Sequence, residues 1–356
     1  DLRMSRGLGD VYKRQIMLTR LSFDSARKQY FIALVSMIFS LIIPVLINRV
    51  GFVRKLYWLF AIVGILALLV VTIAGNTSYG AKISLSIAGI SIQPSEFVKI
   101  LFVFFVAGML YQDTSFQRVC VTTVIAAIHV LILVASRDLG AALLFFVTYV
   151  VMLYVATKKL LYFAGGLAAG SAASVVAYHL FSHIRVRVRE WQNPLAYIDK
   201  EGYQISQSLF AIGTGGWFGM GLYQGLPDKI PVVKQDFIFS AVSEELGGIF
   251  ALCLIMVCFS CFLMFLNIAM QMKDQFYKLV ALGLGTIYAF QVFLTIGGVT
   301  KFIPSTGVTL PLVSYGGSSL LSSMIIFAVI QGLYILRQDE GLSLIHISEP
   351  TRHAQI

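Results

Sequence analysis

Residues 118–157 read RVCVTTVIAAIHVLILVASRDLGAALLFFVTYVVMLYVAT. Two apolar runs, 118–136 and 139–157, are separated only by the charged pair Arg137 and Asp138. A helix needs about 20 mostly apolar residues to cross the hydrocarbon core of a bilayer. Because the runs are continuous rather than alternating, they predict two membrane-spanning helices joined by a very short turn.

Apolar runs of this kind occupy most of the 356-residue chain. Hydrophobic residues make up 58% of the sequence and charged residues 12%, whereas soluble globular domains carry roughly 25% charged residues. This composition excludes a soluble globular protein. We therefore predict an all-α, polytopic membrane helix bundle with one long structured loop on its outer side. The nine predicted spans are residues 30–49, 56–74, 96–112, 118–136, 139–157, 160–181, 248–268, 278–299 and 317–336.

The distribution of lysine and arginine predicts how the bundle is oriented. Short cytoplasmic loops carry an excess of these residues, and here every second connection is basic. The remaining connections, residues 75–95, 137–138, 182–247 and 300–316, are predicted to face outward. The net charge of +10 fits membrane orientation and anionic lipid, and no nucleic-acid partner is expected. The basic residues of the predicted cytoplasmic connections are Arg49, Arg54, Lys55, Arg118, Lys158, Lys159, Lys273, Lys278 and Arg337.

The connection 182–247 is much longer than the others and carries the basic run Arg185, Arg187 and Arg189. Long connections inside a compact domain are usually functional or disordered, and this one is not of low complexity. The basic run indicates either an anionic ligand on the outer face, or plain solvation and contact with lipid headgroups.

Both ends of the chain differ in texture from the rest. Residues 1–15 and 341–356 resemble translated sequencing-adapter DNA, so the membrane domain is predicted to occupy residues 16–340. The basic residues Arg20, Arg27 and Lys28 precede the first predicted span on the outer side. We therefore expect a further helix upstream and ten native spans.

Ionisable residues at the borders of the spans are the first candidates for a site. Glu96 and Lys99 of the segment QPSEFVK are three residues apart at a predicted helix start, so they share a face. They form either an interfacial ion pair or part of a polar cavity. Asp138 is either the cap of the next helix or a second cavity carboxylate.

The outer connections supply three further motifs. Asp236 lies between the long loop and an apolar run. Desolvation at such a border raises the pKa of a carboxyl group and makes it a better general base. The alternative is that Asp236 caps the next helix. The glycines between 204 and 221 allow close approach of the backbone to a ligand. The prolines and glycines between 304 and 319 forbid a regular helix and predict a structured or re-entrant outer segment.

These motifs resemble the SEDS family, the RodA/FtsW/SpoVE group, in order and spacing over about residues 17–338. The motifs are QPSEFVK, RDLGAAL, YQISQSLFAIGTGGWFGMGL, QDFIFSAVSEELG and TGVTLPLVSYGGSSL. The resemblance implies ten membrane helices in the bacterial cytoplasmic membrane. It places the catalytic aspartate at Asp236. Residues expected to bind substrate or line a cavity are Glu96, Lys99, Asp138, Gln207, Lys234, Ser314, Tyr315 and Ser318.

The resemblance also implies an inverting peptidoglycan glycosyltransferase that polymerises lipid II outside the membrane, for cell shape, division or sporulation. Asp236 would be the base, and the cations Lys234 and the basic loop, or a divalent ion such as Mg²⁺ or Mn²⁺, would neutralise the departing undecaprenyl pyrophosphate. No metal ligands were identified in the sequence. Expected partners are a class B penicillin-binding protein and other division or elongation proteins. A flippase for the lipid-linked precursor, or a non-catalytic scaffold, remains the alternative.

Overall fold

The computed structural model describes residues 17–49, 53–78, 81–87 and 90–348. Within them the chain forms a bundle of α-helices, preceded by a short helical segment over 17–21. The helices are α1 (Phe23–Arg49), α2 (Tyr57–Ala74), α3 (Ser95–Leu110), α4 (Phe116–Ala135), α5 (Leu139–Thr157), α6 (Leu160–Leu180), α7 (Ser182–Gln192), α8 (Tyr203–Gly215), α9 (Ile238–Gln271), α10 (Gln275–Val299) and α11 (Gly317–Ser348).

Eight helices in the described part of the chain are long and apolar enough to cross a membrane, which confirms the predicted fold class. They are α1, α2, α4, α5, α6, α9, α10 and α11. The remaining predicted span, residues 96–112, forms α3, which has only 16 residues. At 1.5 Å per residue such a helix is about 24 Å long, shorter than the roughly 30 Å hydrocarbon core. It lies inside the bundle, where Val103, Phe105 and Val106 are fully buried.

Of the two terminal segments predicted to be adapter-like, only part of the C-terminal one lies within the described residues. The segment 1–15 lies outside the described residues. Helix α11 continues without a break past residue 340 to Ser348. The fold therefore does not mark a boundary at residue 340.

A small antiparallel sheet between α2 and α3 was not predicted. Its three strands are β1 (Asn76–Ser78), β2 (Ala81–Ile87) and β3 (Ile90–Ile92), in the order β1-β2-β3. Strand β2 pairs with β3 through Leu85 opposite Ile92. The residues of β2 read AKISLSI, with apolar and polar residues alternating. This period of two is typical of a β-strand, although the strand is too short to form a long apolar run.

The long outer connection is mostly helical rather than a loop. It contains α7 and α8, and α9 begins at Ile238, ten residues before the predicted span. Gly247 interrupts α9 with φ +87°, so the span predicted from residue 248 begins at a kink. The short stretch 216–221 crosses this kink: the amide of Gly248 donates to Gly216 O at 2.8 Å, and that of Gly221 to Glu245 O at 3.0 Å.

The glycines of this stretch serve backbone packing. A Cβ on Gly219 would collide with the backbone around Glu245 and Gly247. Because a side chain would separate the two backbones, only glycine permits these hydrogen bonds. Gly219 therefore brings the chain against its own backbone, and close approach to a ligand stays a prediction for the other glycines between 204 and 221.

The segment between α10 and α11 is irregular, as predicted, and its residues 310–314 are buried. Leu310 and Leu312 are 1% and 3% exposed. Two side chains of α10 satisfy its carbonyls: Gln291 Nε2 donates to Thr309 O at 3.0 Å, and Thr295 Oγ1 to Val308 O at 2.9 Å. Irregular backbone at membrane depth is stable only when protein groups satisfy it in this way.

The predicted orientation is tested by labelling single cysteines in a variant without the native cysteines. Lys229 and Lys159 are both exposed, and they lie in connections predicted to face opposite sides. We expect Lys229→Cys to react with a membrane-impermeant thiol reagent on intact spheroplasts, and Lys159→Cys to react only after lysis. The reverse pattern would invert the bundle and contradict the orientation derived from the basic loops.

Candidate functional site

A buried ion pair lies at the start of α3. Lys99 Nζ is 2.6 Å from Glu96 Oε2, and the two residues are 2% and 8% exposed. Lys99 also donates to Gln291 Oε1 on α10 at 2.9 Å, and Ser322 Oγ on α11 donates to Glu96 Oε2 at 2.7 Å. The pair is therefore part of a buried network that joins three helices, which favours the polar-cavity interpretation of Glu96 and Lys99.

Asp138 is both a helix cap and a neighbour of this network. Its Oδ1 accepts the amide of Ala141 at 3.1 Å, and its Oδ2 accepts from Ser95 Oγ at 3.3 Å and Gln93 Nε2 at 3.5 Å. Burial raises the pKa of Asp138, the bond from Ala141 lowers it, and the nearby Glu96 carboxylate raises it. Ser95 is the first helical residue of α3, and its hydroxyl donates to Asp138.

These groups line one small cavity of about 30 Å³, which is partly open to solvent. Polar side chains from the starts of α3 and α5 meet the irregular segment before α11 there. An amine, two carboxylates and two amides that meet inside an apolar bundle mark a candidate functional site. The lining residues are Gln93, Ser95, Glu96, Lys99, Asp138, Ala141, Leu144, Phe145, Gln291, Gly307, Val308 and Thr309.

Asp236 lies at the edge of this cavity, beside Gly307. A Cβ built on Gly307 would be 3.7 Å from Asp236 Oδ2 and 3.9 Å from Arg187 Nη2. Asp236 is half-buried and does not cap α9, whose N-cap is Phe237. Burial raises the pKa of Asp236 to about 6, and the positive charge of Arg187 opposes that rise. A carboxylate of this kind is ionised at neutral pH and is a stronger base than an exposed aspartate.

The other predicted site residues have different surroundings. Lys234 and Tyr315 are joined through their backbones, the Tyr315 amide donating to Lys234 O at 2.7 Å. Ser318 Oγ accepts the amide of Gln93 at 3.3 Å, which brings it to the cavity rim. Ser314 is 1% exposed, and its hydroxyl accepts the Leu310 amide at 2.9 Å, which makes it part of the re-entrant turn. Gln207 is half-buried on α8, outside the cavity lining.

Sequence reasoning did not single out Gln291, Ser322 or Arg187 from their surroundings. Gln291 is an amide inside an apolar run, a signal that could have been used. Arg187 was one of three basic residues, but Arg185 and Arg189 are exposed, whereas Arg187 is half-buried and donates to Ser305 O at 2.6 Å. On a helix, residues 185 and 189 share one face and 187 lies on another.

Among the residues that the structure describes, no three His, Cys, Asp or Glu side chains are grouped to hold a metal ion. Asp138 and Glu96 approach each other closely enough to affect the pKa of Asp138. Both are already engaged by protein donors, which leaves no ready-made set of free ligands at this place.

The family model described as cell cycle protein, which covers FtsW, RodA and SpoVE, matches residues 8–338. Peptidoglycan glycosyltransferase RodA of Mycobacterium tuberculosis is 40% identical over 267 residues, which cover 70% of this chain and 57% of that protein. The chain thus spans little more than half the length of this relative. Stage V sporulation protein E of Bacillus subtilis is 37% identical over 268 residues, covering 72% of each chain.

A solved structure has the same fold. It comes from a peptidoglycan synthase complex that coordinates polymerisation and crosslinking, and one chain matches with a TM-score of 0.77. The match covers 94% of this chain and 97% of that one at 21% sequence identity.

Removing one member of the buried ion pair should destabilise the bundle. We expect Glu96→Ala or Lys99→Ala to cost about 3–5 kcal/mol, because each leaves an uncompensated charge in the interior. The double replacement Glu96→Gln with Lys99→Met should recover much of that loss. Thermal unfolding of the detergent-purified variants, followed by size-exclusion chromatography, measures these differences.

The matched control is Arg54, whose ion pair with Asp274 is 3.8 Å long and substantially exposed. Exposed pairs contribute about 0–1 kcal/mol, so Arg54→Ala should change little. If Lys99→Ala were no more damaging than Arg54→Ala, the pair would not hold the helices together.

Proposed function

This chain belongs to the FtsW/RodA/SpoVE family of cell cycle proteins, and from that membership we propose that it is a peptidoglycan glycosyltransferase. Its helices and family place it in the bacterial cytoplasmic membrane as a multi-pass protein. The proposed substrate is lipid II, which the enzyme polymerises into glycan strands on the outer face. The observation that carries this proposal is a half-buried carboxylate, Asp236, at the edge of a polar cavity within an apolar bundle.

The reaction joins two lipid-linked disaccharides. The 4-hydroxyl of the acceptor GlcNAc attacks the anomeric carbon of the donor MurNAc, and the bond to undecaprenyl pyrophosphate breaks. One in-line displacement turns the α linkage into a β linkage. The hydroxyl proton must leave as the new bond forms, and the pyrophosphate must depart with two or more negative charges.

Asp236 is the proposed general base. It lies two residues before α9 in a connection predicted to face outward, and burial raises its pKa to about 6. A positioned base is worth about 10²–10⁴-fold in rate when its pKa lies near the working pH. Gly307 leaves the space beside the carboxylate open, since even a Cβ there would make only ordinary contact with Asp236 and Arg187. That space is where the acceptor hydroxyl is proposed to bind.

The cavity lined by Glu96, Lys99 and Asp138 is proposed to position the substrate. Lys99 is held by Glu96 and Gln291, so its charge is fixed in space and largely neutralised. Asp138, Gln93 and Ser95 present oxygen and nitrogen atoms to the same volume. These groups suit hydrogen bonding to sugar hydroxyls and amides, and a rigid set of such groups lowers the entropic cost of orienting a substrate.

A transpeptidase is the proposed partner, because glycan polymerisation leaves the peptides uncrosslinked. A class B penicillin-binding protein would supply that second activity. The proposed assistance by Mg²⁺ or Mn²⁺ stays a prediction, and polymerisation with and without EDTA tests it.

Asp236→Asn should abolish glycan polymerisation and leave the protein folded, because the amide cannot accept the proton. The measurement is consumption of lipid II by purified protein in the presence of its partner. Asp199→Asn is the control, since Asp199 is an exposed carboxylate of the same outer region. Activity of the Asp236 variant within a few-fold of the parent would remove Asp236 from the base role, and absence of polymerisation by the parent would favour a flippase or scaffold.

The rate should also fall with acidity. A general base works in its deprotonated form, so protonation of Asp236 below its pKa of about 6 should slow the reaction about tenfold per pH unit. Single-turnover rates at saturating lipid II between about pH 7.5 and pH 5 test this, with size-exclusion chromatography at each pH as the check on folding. A rate that stays level across this interval would contradict the assignment.

A further inference from the structure

The stretch 216–226, which follows α8 in the long outer connection, exposes most of its large apolar side chains. Phe218 is 86% exposed and Trp217 is 67% exposed. A contiguous set of exposed apolar side chains marks a surface that contacts a membrane or another protein. The exposed large apolar residues of the stretch are Trp217, Phe218, Met220, Leu222, Tyr223 and Leu226.

This apolar stretch is fastened to the rest of the protein at both ends. At its start, the amide of Ile249 on α9 donates to Trp217 O at 3.1 Å. At its end, the Leu226 amide donates to Glu244 Oε1 at 3.0 Å, and Arg20 Nη2 donates to the preceding carbonyl at 3.3 Å. The apolar side chains are therefore displayed by a fixed backbone.

The position of Trp217 along α9 places its ring at the border of a membrane span. A Cβ built on Gly248 would lie 3.7 Å from Trp217 Cε3, so the indole lies against the first residue of the predicted span 248–268. At 1.5 Å per residue this span is about 30 Å long, which is roughly the thickness of the hydrocarbon core. The indole is therefore at one border of the core, where tryptophan is enriched in membrane proteins.

The stretch also continues an exposed apolar face of α9. Beyond the kink at Gly247, the exposed large apolar residues of α9 recur at helical spacing and so share one face. Lipid chains are as apolar as these side chains, so an exposed face of this kind on a membrane span contacts lipid. The face consists of Ile249, Leu252, Met256, Phe259 and Leu263.

We infer that residues 216–226 form an interfacial anchor, which inserts its apolar side chains into the leaflet on the side of the long connection. That leaflet is predicted to be the outer one, and the partner is the lipid itself. An indole combines an apolar ring with a polar N–H, which suits the boundary between acyl chains and headgroups. The anchor holds the outer layer that carries Asp236 against the membrane. Other residues line the cavity, so the inference does not depend on the proposed reaction.

The test is the surroundings of a nitroxide label at position 218. Phe218→Cys, in the full chain without its native cysteines, is labelled and placed in phosphatidylcholine nanodiscs that hold one chain each and no partner protein. Power-saturation EPR compares collisions with oxygen, which concentrates in lipid, and with a water-soluble nickel chelate. The ratio of oxygen to nickel collisions should be high, because the side chain at this position is exposed beside the border of the hydrocarbon core.

Two further single-cysteine variants bracket this measurement. Leu263→Cys lies on the exposed face of α9 within the span and should give the ratio of a lipid-facing label. Asp199→Cys replaces an exposed carboxylate of the long outer connection and should give the ratio of a label in water. The ratio for Phe218→Cys should exceed that for Asp199→Cys several-fold. Equal ratios at positions 218 and 199 would overturn the anchor and leave the stretch as a surface for a protein partner.

A second measurement uses the native Trp217 and needs no label. With Trp58→Phe and Trp191→Phe, Trp217 is the single tryptophan, and lipids brominated in the upper part of their acyl chains should quench its fluorescence. The control keeps only Trp191, which is half-buried and donates to Lys301 O at 3.1 Å, and should be quenched less. Quenching of Trp217 no stronger than that of Trp191 would contradict the anchor. Asp236→Asn should leave the quenching unchanged, so failure of the base assignment does not affect this test.

Discussion

The buried contact between Lys99 and Glu96 is the constraint on which the arrangement of the bundle depends. Two charges inside an apolar bundle are costly unless each is paired and hydrogen-bonded. Here Gln291 of α10 and Ser322 of α11 complete their coordination, so α3 has one position relative to both helices. Gln291 also holds Thr309 O, which extends the same network to the irregular segment before α11. The side chains that satisfy these charges are also among those that line the cavity.

Two sets of hydrogen bonds fix the position of Asp236, the proposed base. The first is the network around Lys99 and Glu96, and the second is formed by the backbone of residues 216–221. The held segment carries Gly307, and Gly307 lies against both Asp236 and Arg187. From the other direction, the stretch 216–221 binds the backbone of α9 at its kink, which fixes the helix that follows Asp236. Asp236 is thus held between a membrane core and an outer layer of short helices, where partial burial raises its pKa to about 6.

Much of this could be predicted from the sequence because bilayer physics leaves few choices. Long apolar runs gave the spans, and the borders of those runs gave Glu96, Lys99, Asp138 and Asp236. The β-sheet was not predicted because its strands are too short to form long apolar runs, although residues 81–87 alternate between apolar and polar. Pairings over long sequence distances, such as Arg187 with Ser305, have no local signature. The glycines of 216–221 could not be assigned correctly either, since their partner is backbone at residues 244–249.

The central claim is that Asp236 and the cavity beside it form one site for a lipid-linked saccharide. A cryo-EM structure of the Asp236→Asn protein with lipid II bound tests this most directly. The account predicts a sugar hydroxyl within about 3 Å of the side chain at position 236, with the saccharide over Gly307 and Asp138 and the prenyl chain leading into the membrane. Lipid II bound away from position 236, with the cavity of Glu96 and Lys99 empty, would contradict it.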